Sequence, residues 1–193
     1  MLNTQKNNIP DFYSGDTKMN KFKIDYRVSF YYKNSFIDVS NIEVGRAATT
    51  IKVKNDHFKL ILEAKIIFKN IITKFNFINP TDIKIQSIQL CGLKGDCLRS
   101  TMMKPKNIVV YRVNDRLRIP LNRNDSQKTE ELFSSLLYYK GQIETTVDTI
   151  KKYINENNDR RLSFERALGG KKREIITYEE WVDWSNENLM SEN

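Results

Sequence analysis

Arg112, Arg116, Arg118 and Arg123 fall within twelve residues. On an extended chain Arg112, Arg116 and Arg118 share parity and project from one face. Arginine suits phosphate because its planar fork binds two oxygens at once. A second group, Lys171, Lys172 and Arg173, follows Gly169-Gly170 and comes after Arg160, Arg161 and Arg166. Three cations on a permissive backbone fit a phosphate contact. Near the N-terminus, Lys21, Lys23, Arg27 and Lys33 alternate along a strand-like stretch that puts Tyr31 on their face. Aromatic rings interleaved with cations hold single-stranded nucleic acid by stacking and counterion release. The candidate nucleic-acid contacts are therefore Arg112, Arg116, Arg118, Arg123, Lys171, Lys172, Arg173 and Tyr31. A solvated sheet face explains the lysines equally well, because edge strands use Lys against aggregation. Asn and Ile, at roughly a fifth of the chain, also point to a coding bias that supplies Lys.

Other chemistry finds less support. Cys91 and Cys97 are too far apart for a zinc knuckle, and with His57 as the one histidine no tetrahedral site completes without carboxylates. We expect no metal, no cofactor and no catalytic set. There is no nucleophile elbow, P-loop or dinucleotide fingerprint. The paired carboxylates Glu130-Glu131 and Glu179-Glu180 open expected helices, where the helix dipole accounts for them. Trp181 and Trp184 lie three apart and share a helical face. They either dock the last helix or anchor a protein partner, as exposed tryptophans often do.

The elements that must carry these residues divide in two. Residues 1–120 hold 21 Lys and Arg against 10 Asp and Glu, a balance of +11, whereas residues 121–193 hold 11 against 14, a balance of −3. The period changes at the same point. We read a flexible arm over 1–19, a basic β-rich unit over 20–120 and a mildly acidic helical unit over 121–193. In the β unit, residues 21–33 alternate apolar and polar as a half-buried strand does. Lys33-Asn34-Ser35 is a turn, and 36–40, 49–53, 58–68, 72–79, 82–90, 107–113 and 116–119 read as further strands. In the region 58–68, Leu60, Ala64 and Ile67 also sit at helical spacing, but the alternation of Phe58, Leu60, Leu62, Ala64, Ile66 and Phe68 favours strand. Beyond Pro120, residues 132–137 make one helical face and Ile143, Val147, Ile150 and Ile154 another, with Gly141 separating them. Ser163 caps a third helix, and Thr177 to Glu180 forms a capping box for a fourth.

The expected fold is α+β: an N-terminal antiparallel β-sandwich or small barrel of about seven strands, followed by three to four C-terminal helices. The polar N-terminus, the two cysteines and the absence of an apolar run long enough to span a bilayer suggest a cytoplasmic, reducing location and no membrane partner. The expected function is non-enzymatic binding of nucleic acid through the basic β surface. The alternatives are a structural or assembly component of a larger complex, such as a viral particle or secretion machine, joined through the C-terminal helices, and a small enzyme with a dispersed site.

Overall fold

The computed structural model describes residues 3–5, 24–45, 49–113, 117–122, 124–168 and 177–184, with backbone alone for 3–5 and 164–168. Seven strands form one mixed sheet. They are β1 (Asn3–Gln5), β2 (Tyr26–Tyr32), β3 (Ser35–Gly45), β4 (Lys84–Cys91), β5 (Lys94–Lys104), β6 (Asn107–Arg112) and β7 (Leu117–Arg118). Six run in the order β1-β2-β3-β4-β5-β6, and β7 pairs with β5 beside β6. Neighbours are antiparallel except β3 and β4, which are parallel. The protein is α+β, as expected, but its described strands form one open mixed sheet, neither an antiparallel sandwich nor a closed barrel.

The β2–β3 hairpin turns where the sequence indicated. Lys33 and Asn34 both adopt positive φ, 41° and 62°, as a two-residue turn requires to match strand twist. A bulge lies where the ladder steps past Val39, between the pairs Val28–Ser40 and Ser29–Asp38.

The parallel pair needs a crossover, and helix α1 (Thr50–Lys74) supplies it. The strands expected over 49–53, 58–68 and 72–79 are this helix and the turn after it. Thr49 caps its N-terminus, its hydroxyl accepting from the Lys52 amide at 3.3 Å. Leu60, Ala64, Ile67, Phe68, Ile71 and Ile72 are buried at helical spacing. The alternation misled because Ile61, Leu62 and Ile66 are also half-covered, so apolar residues ring the helix and both periods fit. A 3-10 turn at Pro80–Asp82, capped by Asn79, leads into β4.

Strand β5 lacked any alternation to reveal it. Cys97, Leu98, Ser100, Thr101 and Met102 are all buried, because a central strand covered on both faces has no wet side.

Beyond Pro120 the expected three to four helices become one α-helix among the described residues, α2 (Ser126–Leu168), of 43 residues. At 1.5 Å per residue it is about 64 Å long. Gly141 does not break it; the space where a Cβ would stand is open. Ser163 lies within this helix and starts none. The capping-box segment opens only a 3-10 turn, Glu179–Val182.

The two helices take opposite faces of the sheet. Ser40 and Asn41 are neighbours on β3, so their side chains point to opposite sides. The Ser40 hydroxyl bonds the Tyr139 phenol of α2, and the Asn41 amide donates to the Leu60 carbonyl of α1 at 3.3 Å. One apolar core includes Val39, Phe68, Ile71 and Ile85 together with Ile143, Val147, Ile150 and Ile154 of α2.

Candidate functional site

The layer between the sheet and α1 is unusually polar. Helix α1 buries both of its carboxylates, Asp56 and Glu63, each 2% exposed, and β3 adds Glu43 at 5%. Buried charges persist only when paired, and two cations enter to meet them. Arg27 of β2 reaches Glu63 at 2.7 Å and Asp38 at 3.4 Å. Lys59 reaches Glu43 at 3.1 Å and Asp56 at 3.5 Å. Burial pushes the carboxyls of Glu43 and Glu63 above their ordinary range, while Lys59 and Arg27 hold them down in part. Asn41 and Ser87 complete the layer with a hydrogen bond to each other.

This inward pairing leaves the outside of α1 with one sign of charge. The helix has no other carboxylate, and Lys52, Lys54, Lys69 and Lys74 are exposed. Its first turn carries no acid, so the partial positive charge of the helix N-terminus is uncompensated. That N-terminus stands at the end of the sheet where Gly45, Cys91, Lys94 and Arg118 form a row across four strands. Lys52 Cε lies 3.3 Å from where a Cβ on Gly45 would stand. At about 4.8 Å per strand, Lys94 is roughly 10 Å and Arg118 roughly 14 Å further along the row. Lys94 and Arg118 are direct cross-strand partners and share a face, an unfavourable pairing for like charges.

The arginine candidates fare differently. Arg118 is exposed in this row. Arg112 projects from the same face but holds Asp96 with two contacts, Nε to Oδ1 at 2.9 Å and Nη2 to Oδ2 at 3.2 Å. Arg116, Arg123, Lys171, Lys172 and Arg173 lie outside the described residues. Tyr31 is exposed, its ring 5.3 Å from Phe36 and its hydroxyl donating to Asn34 at 3.1 Å. It is on β2, with β3 and β4 between it and β5, so the structure does not bring it to Arg112 or Arg118. Trp181 and Trp184 are half-buried. Trp184 lies under the Lys65 ammonium at 5.6 Å, and the Trp181 carbonyl accepts from the Lys106 amide at 3.0 Å. These contacts dock the last 3-10 turn on the body.

Sequence reasoning missed Lys52, Lys54, Lys69 and Lys94. A helical reading of 50–74 would have exposed Lys54 and Lys69, because it turns Asp56 and Glu63 to the same side as Leu60 and Ile67.

Nucleophilic chemistry gains nothing from the geometry. Both cysteines are buried and neither is in a disulfide. Burial pushes the Cys97 thiol up to about 11 and the Cys91 thiol up as well, with Asp96 and Asp56 adding to the effect. That is opposite to the shift an activated thiolate needs. His57 Nδ1 sits 3.4 Å from Gln89 Oε1, and the Gln89 amide donates to the Val53 carbonyl at 2.7 Å. Among the described residues no group of three His, Cys, Asp or Glu side chains is arranged to hold a metal. No helix there is long and apolar enough to cross a membrane. No protein-family model, no curated protein and no solved structure matches the chain.

Proposed function

We propose that this is a non-enzymatic binding protein that contacts the phosphate backbone of nucleic acid, through the outer side of α1 and the adjoining end of the sheet. The observation that carries the reading is the sorting of charge on α1: Asp56 and Glu63 are turned in, Lys54 and Lys69 are turned out, and Lys52 and Lys74 are exposed at its two ends. The Lys94–Arg118 row extends the same sign across the sheet end. A polyanion lying along it relieves the repulsion between those two cations and meets the N-terminus of α1, whose first turn carries no acid. Backbone contacts of this kind give affinity without sequence preference.

The test replaces Lys52, Lys54, Lys94 and Arg118 by Gln and follows binding to mixed-sequence single- and double-stranded oligonucleotides by fluorescence anisotropy across a salt series. Binding by the native protein should weaken as salt rises. The variant should bind all sequences more weakly, with the salt slope reduced by about 1 for each phosphate that is no longer neutralised. Unchanged affinity and slope in a variant with native circular dichroism would overturn the reading.

A further inference from the structure

Among the described residues, helix α2 is fully buried along only part of its length. Its buried side chains, Tyr139, Ile143, Thr146, Val147, Ile150 and Ile154, occupy the middle of the helix. Upstream, the helix continues for more than three turns; Leu132 still packs on the core, while the apolar residues beside it are exposed, Leu136 at the margin and Phe133 and Leu137 most fully. Phe133 is 59% exposed, Leu136 37% and Leu137 66%. Scattered exposed apolar residues are ordinary, but a contiguous helical face of them marks an interaction surface.

We propose that this face pairs with the same face of a second copy of the chain, the two helices running antiparallel about a two-fold axis level with residue 135. The charges flanking the patch name the occupant and the direction. Phe133 and Leu137 are one turn apart on one face. Glu130 lies a turn before Phe133 on that face, and Lys140 a turn after Leu137. Antiparallel pairing sets each Phe133 against the second copy's Leu137 and each Glu130 level with the second copy's Lys140, so one self-complementary patch is satisfied twice, as an isologous interface requires. Parallel pairing would instead set Glu130 against Glu130 and Lys140 against Lys140. The two charged levels lie about 15 Å apart along the helix. In one copy Lys140 pairs with Glu144 at 2.5 Å, both side chains about half exposed. An exposed ion pair of this kind holds little energy, so Lys140 can exchange it readily. The proposal stands on α2 alone and is independent of what the α1 face binds.

Sedimentation velocity over a micromolar to millimolar range tests it. The native chain should move from monomer to dimer and no further. Phe133→Glu with Leu137→Glu should remain monomeric while keeping its helical circular dichroism, because both positions are exposed in the single copy. Glu130→Lys alone and Lys140→Glu alone should each weaken the dimer several-fold, and the double exchange should restore it. A native chain that stays monomeric throughout overturns the proposal, and so does a dimer that survives the two glutamates. A dimer weakened further by the double exchange overturns the antiparallel register.

Discussion

Replacing Arg27 by Met isolates the energetics of the polar layer that sorts charge on α1. The Glu63 side chain is 3% exposed and Arg27 17%, with 2.7 Å between them. Removing the guanidinium leaves a buried carboxylate facing Asp38 and, more distantly, Glu43, the two acids that already push it upward. Breaking a buried pair from one side costs about 3–5 kcal/mol, against a total stability of roughly 5–15 kcal/mol for a domain. For a chain of this length that corresponds to a fall in Tm of roughly 6–20 °C. The loss depends on pH. Burial already sets the Glu63 carboxyl above its ordinary range, with Arg27 restraining it; without Arg27 it rises further. A carboxyl raised in the folded state supports stability below its unfolded value, and that support is lost as pH rises through the folded value. The deficit should therefore be largest at neutral pH and narrow in mild acid, as Glu63 takes up its proton. Urea unfolding followed by circular dichroism at both pH values measures this. The double variant, with Glu63→Met added, should recover much of the loss. A deficit equal at both pH values, or a double variant no more stable than Arg27→Met, would refute the account of the layer.

Two further substitutions probe the fold that positions the site. Tyr139→Phe removes the phenol that meets the Ser40 hydroxyl, leaving a fully buried serine short of a partner; unfolding should show a loss of about 1–3 kcal/mol, and a change within error would mean that this hydrogen bond adds nothing net to the docking of α2. Gly95→Ala places a Cβ 2.6 Å from the Gln89 carbonyl oxygen and 2.6 Å from a Leu90 methyl; the backbone atom cannot step aside, so a loss of about 1–3 kcal/mol is expected, and native stability would show that β4 and β5 are less tightly coupled there.

The hairpin turn at Lys33-Asn34, strands β2, β3, β4 and β6, and the amphipathic run from Ile143 to Ile154 were legible because each carries a single clear period or a turn with special dihedrals. Helix α1 was not, because an element half-covered on its outer side by Ile61, Leu62 and Ile66 shows no clean stripe. Strand β5 was hidden because Gly95 and Asp96 resemble loop residues and the buried run from Cys97 to Met102 mixes polar and apolar types on both faces; β4, buried likewise, was legible from its isoleucines between two turn signals. The break placed at Gly141 failed because one glycine inside a helix with open space around it costs only about 1 kcal/mol. The basic character of the surface was visible in the charge count, but its location was not. Lys54 and Lys69 take their meaning from what Asp56 and Glu63 do on the opposite side of the same helix, and Lys94 from a cross-strand neighbour 24 positions away. Arg112 stood out in the sequence, yet its partner Asp96 comes from another strand.

The single parallel junction has a kinetic consequence. Strands β4, β5 and β6 zip together through two short turns, and β2 with β3 through another, so each half pairs locally. Between the halves, Ser40 must find Gln86 and Gly45 must find Cys91, partners 46 positions apart in the chain. Loop closure makes such contacts slow to form unless something shortens the search. Helix α1 does so: once wound, its 25 residues span about 38 Å as a rod instead of wandering as coil. The order of events then runs from hairpins and helix to the β3–β4 seam. The buried pairs of Arg27 with Glu63 and Lys59 with Glu43 join α1 to the β2–β3 hairpin, so they close when the helix docks there, before the seam, and weakening them should slow folding as well as speed unfolding.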